Sequence, residues 1–201
     1  MIGGAGTEYG LKGLSVPVPP VEPGVERWGI NELYYMAGGK KRFAHCTRWF
    51  DLHHKAHIIG RKRNTWGRYQ TLDIPVYLWE TFPDLPTSRV YPRAEVQRMF
   101  GGTRLFNSSL DWLIALALYE GFTEIELYAY RMGHPNYKHQ VGTAQWWLQQ
   151  CYKRGVKVTH LSPSVLAGVS KIVDALPPKP EAHHLMYGFE TSDRSKLYRG
   201  R

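Results

Sequence analysis

The stretch Asn107–Tyr130 constrains the fold more than any other part of the chain. It opens on Asn107-Ser108-Ser109, where Ser108 or Ser109 can accept a hydrogen bond from a free N–H of a first helical turn. Asp111 suits the positive end of that helix. Leu110, Leu113, Ile114, Ala117 and Leu118 then recur at helical spacing, and Trp112 and Leu116 widen the apolar face until little polar surface remains. Gly121 ends the helix where a left-handed residue costs least. Thr123–Tyr130 follows as a strand, with Ile125, Leu127 and Ala129 on one face and Tyr128 and Tyr130 on the other. A helix buried nearly all round that runs straight into an extended segment is half of a βαβ unit.

The pattern then repeats. A helix is expected from about Val141 to Lys153, with Trp146, Trp147 and Cys151 inward, then Gly155 and a strand from Val156 to Leu161. Ser162-Pro163-Ser164 starts a short helix with proline near its first turn. Earlier in the chain, Glu26–Asn31, Arg42–His53 and Ile74–Trp79 read as strands, and Arg93–Phe100 as a short amphipathic helix. Arg61–Gln70 reads as a mobile polar loop, and Phe82–Pro92 as a loop punctuated by proline. Together these predict an α/β fold, a Rossmann-like three-layer sandwich with a mainly parallel sheet, over residues 1–176. Pro177-Pro178-Lys179-Pro180 then opens a basic tail or C-terminal arm, 177–201.

The 201 residues are 43% hydrophobic, enough for one core, and no run of about eighteen apolar residues offers a membrane span. The start of the chain lacks the basic and apolar segments of a signal peptide. Two cysteines, Cys46 and Cys151, make no disulfide framework. A cytoplasmic protein with reduced thiols is expected. The net charge of +9 attracts anions, whether nucleotide, sugar phosphate or nucleic acid. Nucleic acid would be held through the basic loop 61–68 and the tail 194–201.

Ligands of open α/β sheets sit beyond the carboxyl ends of the strands, and three polar strand ends qualify: Asn31, Asp51 with His53, and Arg131–His139. Gly3-Gly4-Ala5-Gly6 lets backbone approach a phosphate closely, although the strand that should precede such a loop is reduced to Met1 and Ile2 or is clipped. His53, His54 and His57 lack the glutamate of a zinc-binding helix and any nearby cysteine, so no metal is expected.

In order, a Gly-rich start, Arg27-Trp28-Gly29-Ile30-Asn31, Asn107-Ser108-Ser109 before a buried helix, and Gly121-Phe122-Thr123-Glu124-Ile125-Glu126-Leu127-Tyr128 resemble the bacterial CMP-sialic-acid-dependent sialyltransferases. The chain is also similar to hydroxymethylpterin-diphosphokinase-like Rossmann proteins. Its Trp28-Gly29-Ile30-Asn31, Arg48-Trp49-Phe50-Asp51-Leu52-His53 and Ala115–Gly121 have the flavour of phage-encoded members. The resemblance implies that Gly4, Gly6 and Asn31 hold a CMP-type nucleotide or nucleotide sugar, with Ser108 or Ser109 beside the cytidine. It implies that His139 is the general base; the strand-end positions themselves put His134 in reserve and Asp51, His53 and Arg131 in the cleft. Where the family's loop reads Gly-Asn-Gly-Pro-Ser, this chain has Gly4-Ala5-Gly6-Thr7-Glu8. The function expected is glycosyl or related group transfer. A non-catalytic nucleotide- or nucleic-acid-binding protein on the same fold, and a homo-oligomer that uses the tail as an arm, stay open beside it.

Overall fold

A computed structural model describes residues 2–3, 23–33, 46–101, 106–128 and 138–160, with backbone alone at 2, 3, 128, 138 and 139. Seven strands form one sheet: β1 (Ile2–Gly3), β2 (Trp28–Ile30), β3 (Arg48–Phe50), β4 (Val76–Leu78), β5 (Ser88–Val90), β6 (Glu124–Tyr128) and β7 (Lys157–His160). Their order is β5-β4-β3-β2-β1-β6-β7, and every pairing between them is parallel. The chain builds outward from β1 to β5, then returns to the other side of β1 for β6. That reversal makes β1/β6 the topological switch point.

The helices are α1 (Lys55–Ile59), α2 (Thr65–Tyr69), α3 (Arg93–Phe100), α4 (Ser109–Tyr119) and α5 (Lys138–Lys153). Period-two alternation along the strands sorts the core into two layers. Trp28, Ile30, Phe50, Ile125 and Leu127 pack with α3, α4 and α5. On the opposite face Trp49, Val76 and Leu78 pack with Ile58, Trp66 and Tyr69 of α1 and α2. The architecture is therefore the three-layer α/β sandwich that the repeated helix–strand units predict.

The central helix owes its start to a capping box. The Ser108 hydroxyl accepts from the Asp111 N–H at 3.2 Å, and the Asp111 carboxylate accepts from the Asn107 and Ser108 N–H groups at 2.7 and 2.9 Å. Such a cap contributes about 1 kcal/mol. Every residue from Ser109 to Leu118 is buried. Gly121 takes φ +81° after the helix, as its position there requires.

Two expectations need correction. The segment Arg61–Gln70 is not a mobile loop: Asn64 caps α2, Thr65, Trp66 and Tyr69 are buried, and the Arg61 side chain is only 12% exposed. Its aromatics at i and i+3 outweigh its charges. Within Phe82–Pro92 lies a strand, β5, paired with β4 from Val76↔Ser88 to Leu78↔Val90. The first strand, expected as a remnant or clipped, is a two-residue strand inside the sheet, flanked by β2 and β6. The boundary at 176 and the tail 177–201 lie outside the described residues.

Candidate functional site

Three contacts orient α4. Its last carboxylate, Glu120, meets Arg48 at the start of β3 at 2.7 Å. Near its other end the Trp112 carbonyl accepts from Tyr91, just beyond β5, at 2.7 Å, and the Trp112 ring lies 5.3 Å from Trp79, just beyond β4. The N-terminus of α4 thus stands at the carboxyl edge of the sheet. The last residue of α5, Lys153, is followed by β7 at Lys157, so its first turn reaches the same edge about 24 Å back along the helix. Ser108, Ser109 and the backbone of His139 share this edge with the ends of β2 and β3.

Asn31, immediately after β2, has a left-handed backbone (φ 49°) held by three bonds. Its N–H donates to the Phe50 carbonyl at 2.8 Å, and its carbonyl accepts from Trp49 Nε1 and Tyr69 Oη, each at 3.1 Å. Gly29 permits this, because a methyl there would overlap the Trp49 ring. With its backbone fixed, Asn31 keeps its side-chain Oδ1 buried and without a partner.

Asp51, immediately after β3, is fully buried at the middle of a polar knot. Its two carboxylate oxygens take Arg61 Nη1 at 2.5 Å and Nη2 at 3.2 Å, Tyr69 Oη at 2.5 Å and His53 Nδ1 at 2.6 Å. His53 Nδ1 also lies 3.0 Å from Arg61 Nη2, so the imidazole and the guanidinium meet at the same carboxylate oxygen. The His53 ring stacks on His57 at 4.9 Å. Burial pushes the Asp51 carboxyl up, but the Arg61 guanidinium and His53 outweigh it and hold it well below the usual carboxylate range. Burial lowers Arg61, and Asp51 more than reverses that. The knot ties α1 and α2 to the ends of β2 and β3.

At the start of α4, Asp111 is equally buried but has no cationic partner among the described residues. Burial raises its carboxyl to about 7, against the Asn107 and Ser108 N–H groups bonded to it and the nearby Thr143 hydroxyl, which lower it. Two carboxyls at one edge are thus driven in opposite directions, one by a guanidinium and one by its absence. Such a split marks sites where charge is managed.

The amino edge of the sheet is built otherwise. There Arg48 bridges Glu26 and Glu120, each at 2.7 Å, with its guanidinium 5.3 Å from the Trp28 ring and 5.7 Å from Tyr77. That cation is consumed by a clasp between β2, β3 and α4. Among the described residues no cluster of histidine, cysteine, aspartate or glutamate can hold a metal ion, and no helix is long and apolar enough to cross a membrane.

No protein-family model matches the sequence, and no curated protein sequence matches it. A solved structure does match: the sialyltransferase CstII from Campylobacter jejuni in complex with a substrate analogue, cytidine-5'-monophosphate, at a TM-score of 0.52. The superposition covers 89% of this chain and 84% of that one, at 17% sequence identity. The fold is sialyltransferase-like.

Of the candidate residues, Asn31, Asp51, His53, Ser108 and Ser109 stand at strand ends and a helix start on one edge of the sheet. Gly4, Gly6, Arg131 and His134 lie outside the described residues, as does the side chain of His139. Asp51 is not an open cleft carboxylate, since Arg61, Tyr69 and His53 use both of its oxygens. Sequence reading missed Arg61, Tyr69 and the buried role of Asp111. Only the aromatic pair Trp66 and Tyr69 inside a basic segment signalled that Arg61–Gln70 is packed.

Proposed function

We propose that the chain binds a nucleotide or nucleotide sugar across the β1/β6 switch point and transfers the sugar to an acceptor hydroxyl. The observation that carries this reading is the sheet order: β1 is central, and Asn31 after β2 and the capped start of α4 stand at its carboxyl edge. A crevice opens there in sheets of this kind. The cytidine-5'-monophosphate complex of the structurally similar CstII supports a CMP-type nucleotide as the ligand. Gly4, Gly6, Asn31, Ser108 and Ser109 hold it in this reading, with Asn31 offering the side-chain amide oxygen that the protein leaves unpaired.

His139, in the first turn of α5, acts as the general base, with His134 as the alternative. Its imidazole takes the proton of the acceptor hydroxyl while that oxygen bonds to the anomeric carbon. The bond from that carbon to the phosphate oxygen breaks, and the electron pair leaves with the nucleotide. His53, held by Asp51, stands on the other side of the ligand as an orienting group. The basic segment 61–68 contributes little to nucleic-acid binding in this reading, because Arg61 turns inward to Asp51.

A thermal-shift panel of CMP, other nucleotides and nucleotide sugars tests the proposal. A ligand at about a hundred times its dissociation constant adds roughly 2.7 kcal/mol. CMP-type ligands are expected to raise the melting temperature of the wild type and to have no effect on Asn31→Ala. No shift with any nucleotide sinks the reading. Once a donor is found, His139→Asn should lower turnover by about two to four orders of magnitude with affinity changed only a few-fold.

A further inference from the structure

The start of α4 is equipped for an anion, and a titratable group sits directly behind it. In the first helical turn the N–H groups of Ser109 and Leu110 have no intrahelical carbonyl within reach. The Ser109 hydroxyl, in a residue only 6% exposed, has no hydrogen-bond partner. These are three donors at the positive end of an eleven-residue helix, on the carboxyl edge of a parallel sheet.

Asp111, two residues on, is fully buried. Its Oδ2 takes the Asn107 and Ser108 N–H groups, while its Oδ1 has no bonded partner. Thr143 of α5 approaches the carboxyl, but its hydroxyl donates to the Gln140 carbonyl at 3.1 Å. The buried carboxyl thus has one oxygen held by two N–H groups and the other held by none. An ionised carboxylate would draw the Thr143 hydrogen away from Gln140 and loosen the first turn of α5.

We propose that Asp111 is a proton-linked gate on this terminus: neutral, it leaves the positive end of α4 to the phosphate of a bound nucleotide, and ionised, it fills that end itself. The inference rests on the nucleotide reading and adds a regulation to it. Two negative charges cannot share one helix terminus in a dry site without a large cost. Phosphate binding therefore requires Asp111 to be protonated, and binding above neutral pH draws a proton from solvent. The raised carboxyl, near 7 in the free protein, puts the transition in the physiological range. The elements packed around the gate carry other titratable residues: Tyr91 and Arg93 follow β5, and His160 ends β7, while in the first turn of α5 Lys138 and His139 are described by their backbone alone. Burial lowers His160, which favours its neutral form.

The test is CMP binding by calorimetry at pH 6 and pH 8, with cytidine as the ligand that lacks the phosphate. If only the protonated form binds, the dissociation constant of CMP rises about tenfold between these pH values, with one pKa of about 7. Cytidine should show no such rise. Asp111→Asn, permanently neutral, should lose the rise for CMP, whereas the phosphate's own ionisation, near pH 6, affects both proteins alike. A second readout needs no variant: at pH 7.5, in two buffers of different ionisation enthalpy, wild-type binding should take up between one half and one proton per CMP. A pH-independent affinity, no proton uptake, or a rise that persists in Asp111→Asn overturns the gate while leaving the nucleotide reading in place. Failure of CMP to bind at either pH removes both.

Discussion

Replacing Arg61 by methionine is the sharpest perturbation of the carboxyl edge. Methionine keeps the apolar stem and deletes the guanidinium, which leaves Asp51 fully buried with only Tyr69 and His53. Breaking a buried pair from one side costs about 3–5 kcal/mol. The two surviving partners put Arg61→Met near the lower figure, about 3 kcal/mol. With a urea m-value of about 2 kcal/mol/M, the unfolding midpoint should fall by about 1.5 M. The pH dependence of the Asp51 contribution should also reverse. In the wild type the Asp51 carboxyl is depressed, so its contribution is fully present above its ordinary value of 3.8 and is lost as the pH falls further. Without Arg61, burial wins and the carboxyl is raised, so stability instead falls as the pH climbs above that value. The double variant Asp51→Asn/Arg61→Met should recover most of the loss at pH 7. Urea unfolding at pH 5 and pH 7 measures all three proteins, and the fall over that range should be larger in Arg61→Met than in the wild type, where Asp111 sets it. A loss below about 0.5 kcal/mol for Arg61→Met, with the same pH dependence as the wild type, refutes the reasoning; it is what a solvated surface charge would give.

Gly29→Ala should destabilise the protein by about 1–3 kcal/mol in chemical denaturation, because a methyl there drives the Trp49 ring off β2. Tyr91→Phe should cost about 1 kcal/mol by the same measurement, for the buried bond to the Trp112 carbonyl. Asp111 should make stability fall with rising pH: its carboxyl near 7 against an ordinary 3.8 gives a contribution complete below about pH 4 and lost as the pH rises through 7, about 4 kcal/mol in all. Unfolding free energies at pH 5 and pH 8 should show that fall in the wild type and not in Asp111→Asn.

The elements that sequence reading located are those whose signals are local. Ser108, Asp111 and Gly121 delimit α4 because capping and left-handed residues act within one turn. Asn31 and Asp51 could be singled out as strand ends because position alone puts strand ends near ligands in such sheets. What the sequence did not reveal depends on partners distant along the chain. The burial of Arg61 requires Asp51, ten residues earlier, and Tyr69, eight residues later, to meet it. Strand β5 escaped because Pro86 and Pro92 bracket it and two of its three residues are exposed, so neither alternation nor an apolar run marks it. Asp111 looked like a charge suited to a helix dipole. Only the packing of α5 beside α4 makes it a buried acid.

The central claim is that a nucleotide occupies the carboxyl edge of this sheet at the β1/β6 switch point. Crystals of the full chain grown with saturating CMP test it most directly. The account predicts nucleotide density beyond the ends of β1 and β6, in contact with Asn31 and with Ser109 at the start of α4. Density at the amino edge beside Arg48, or anywhere else with that crevice empty, would contradict it.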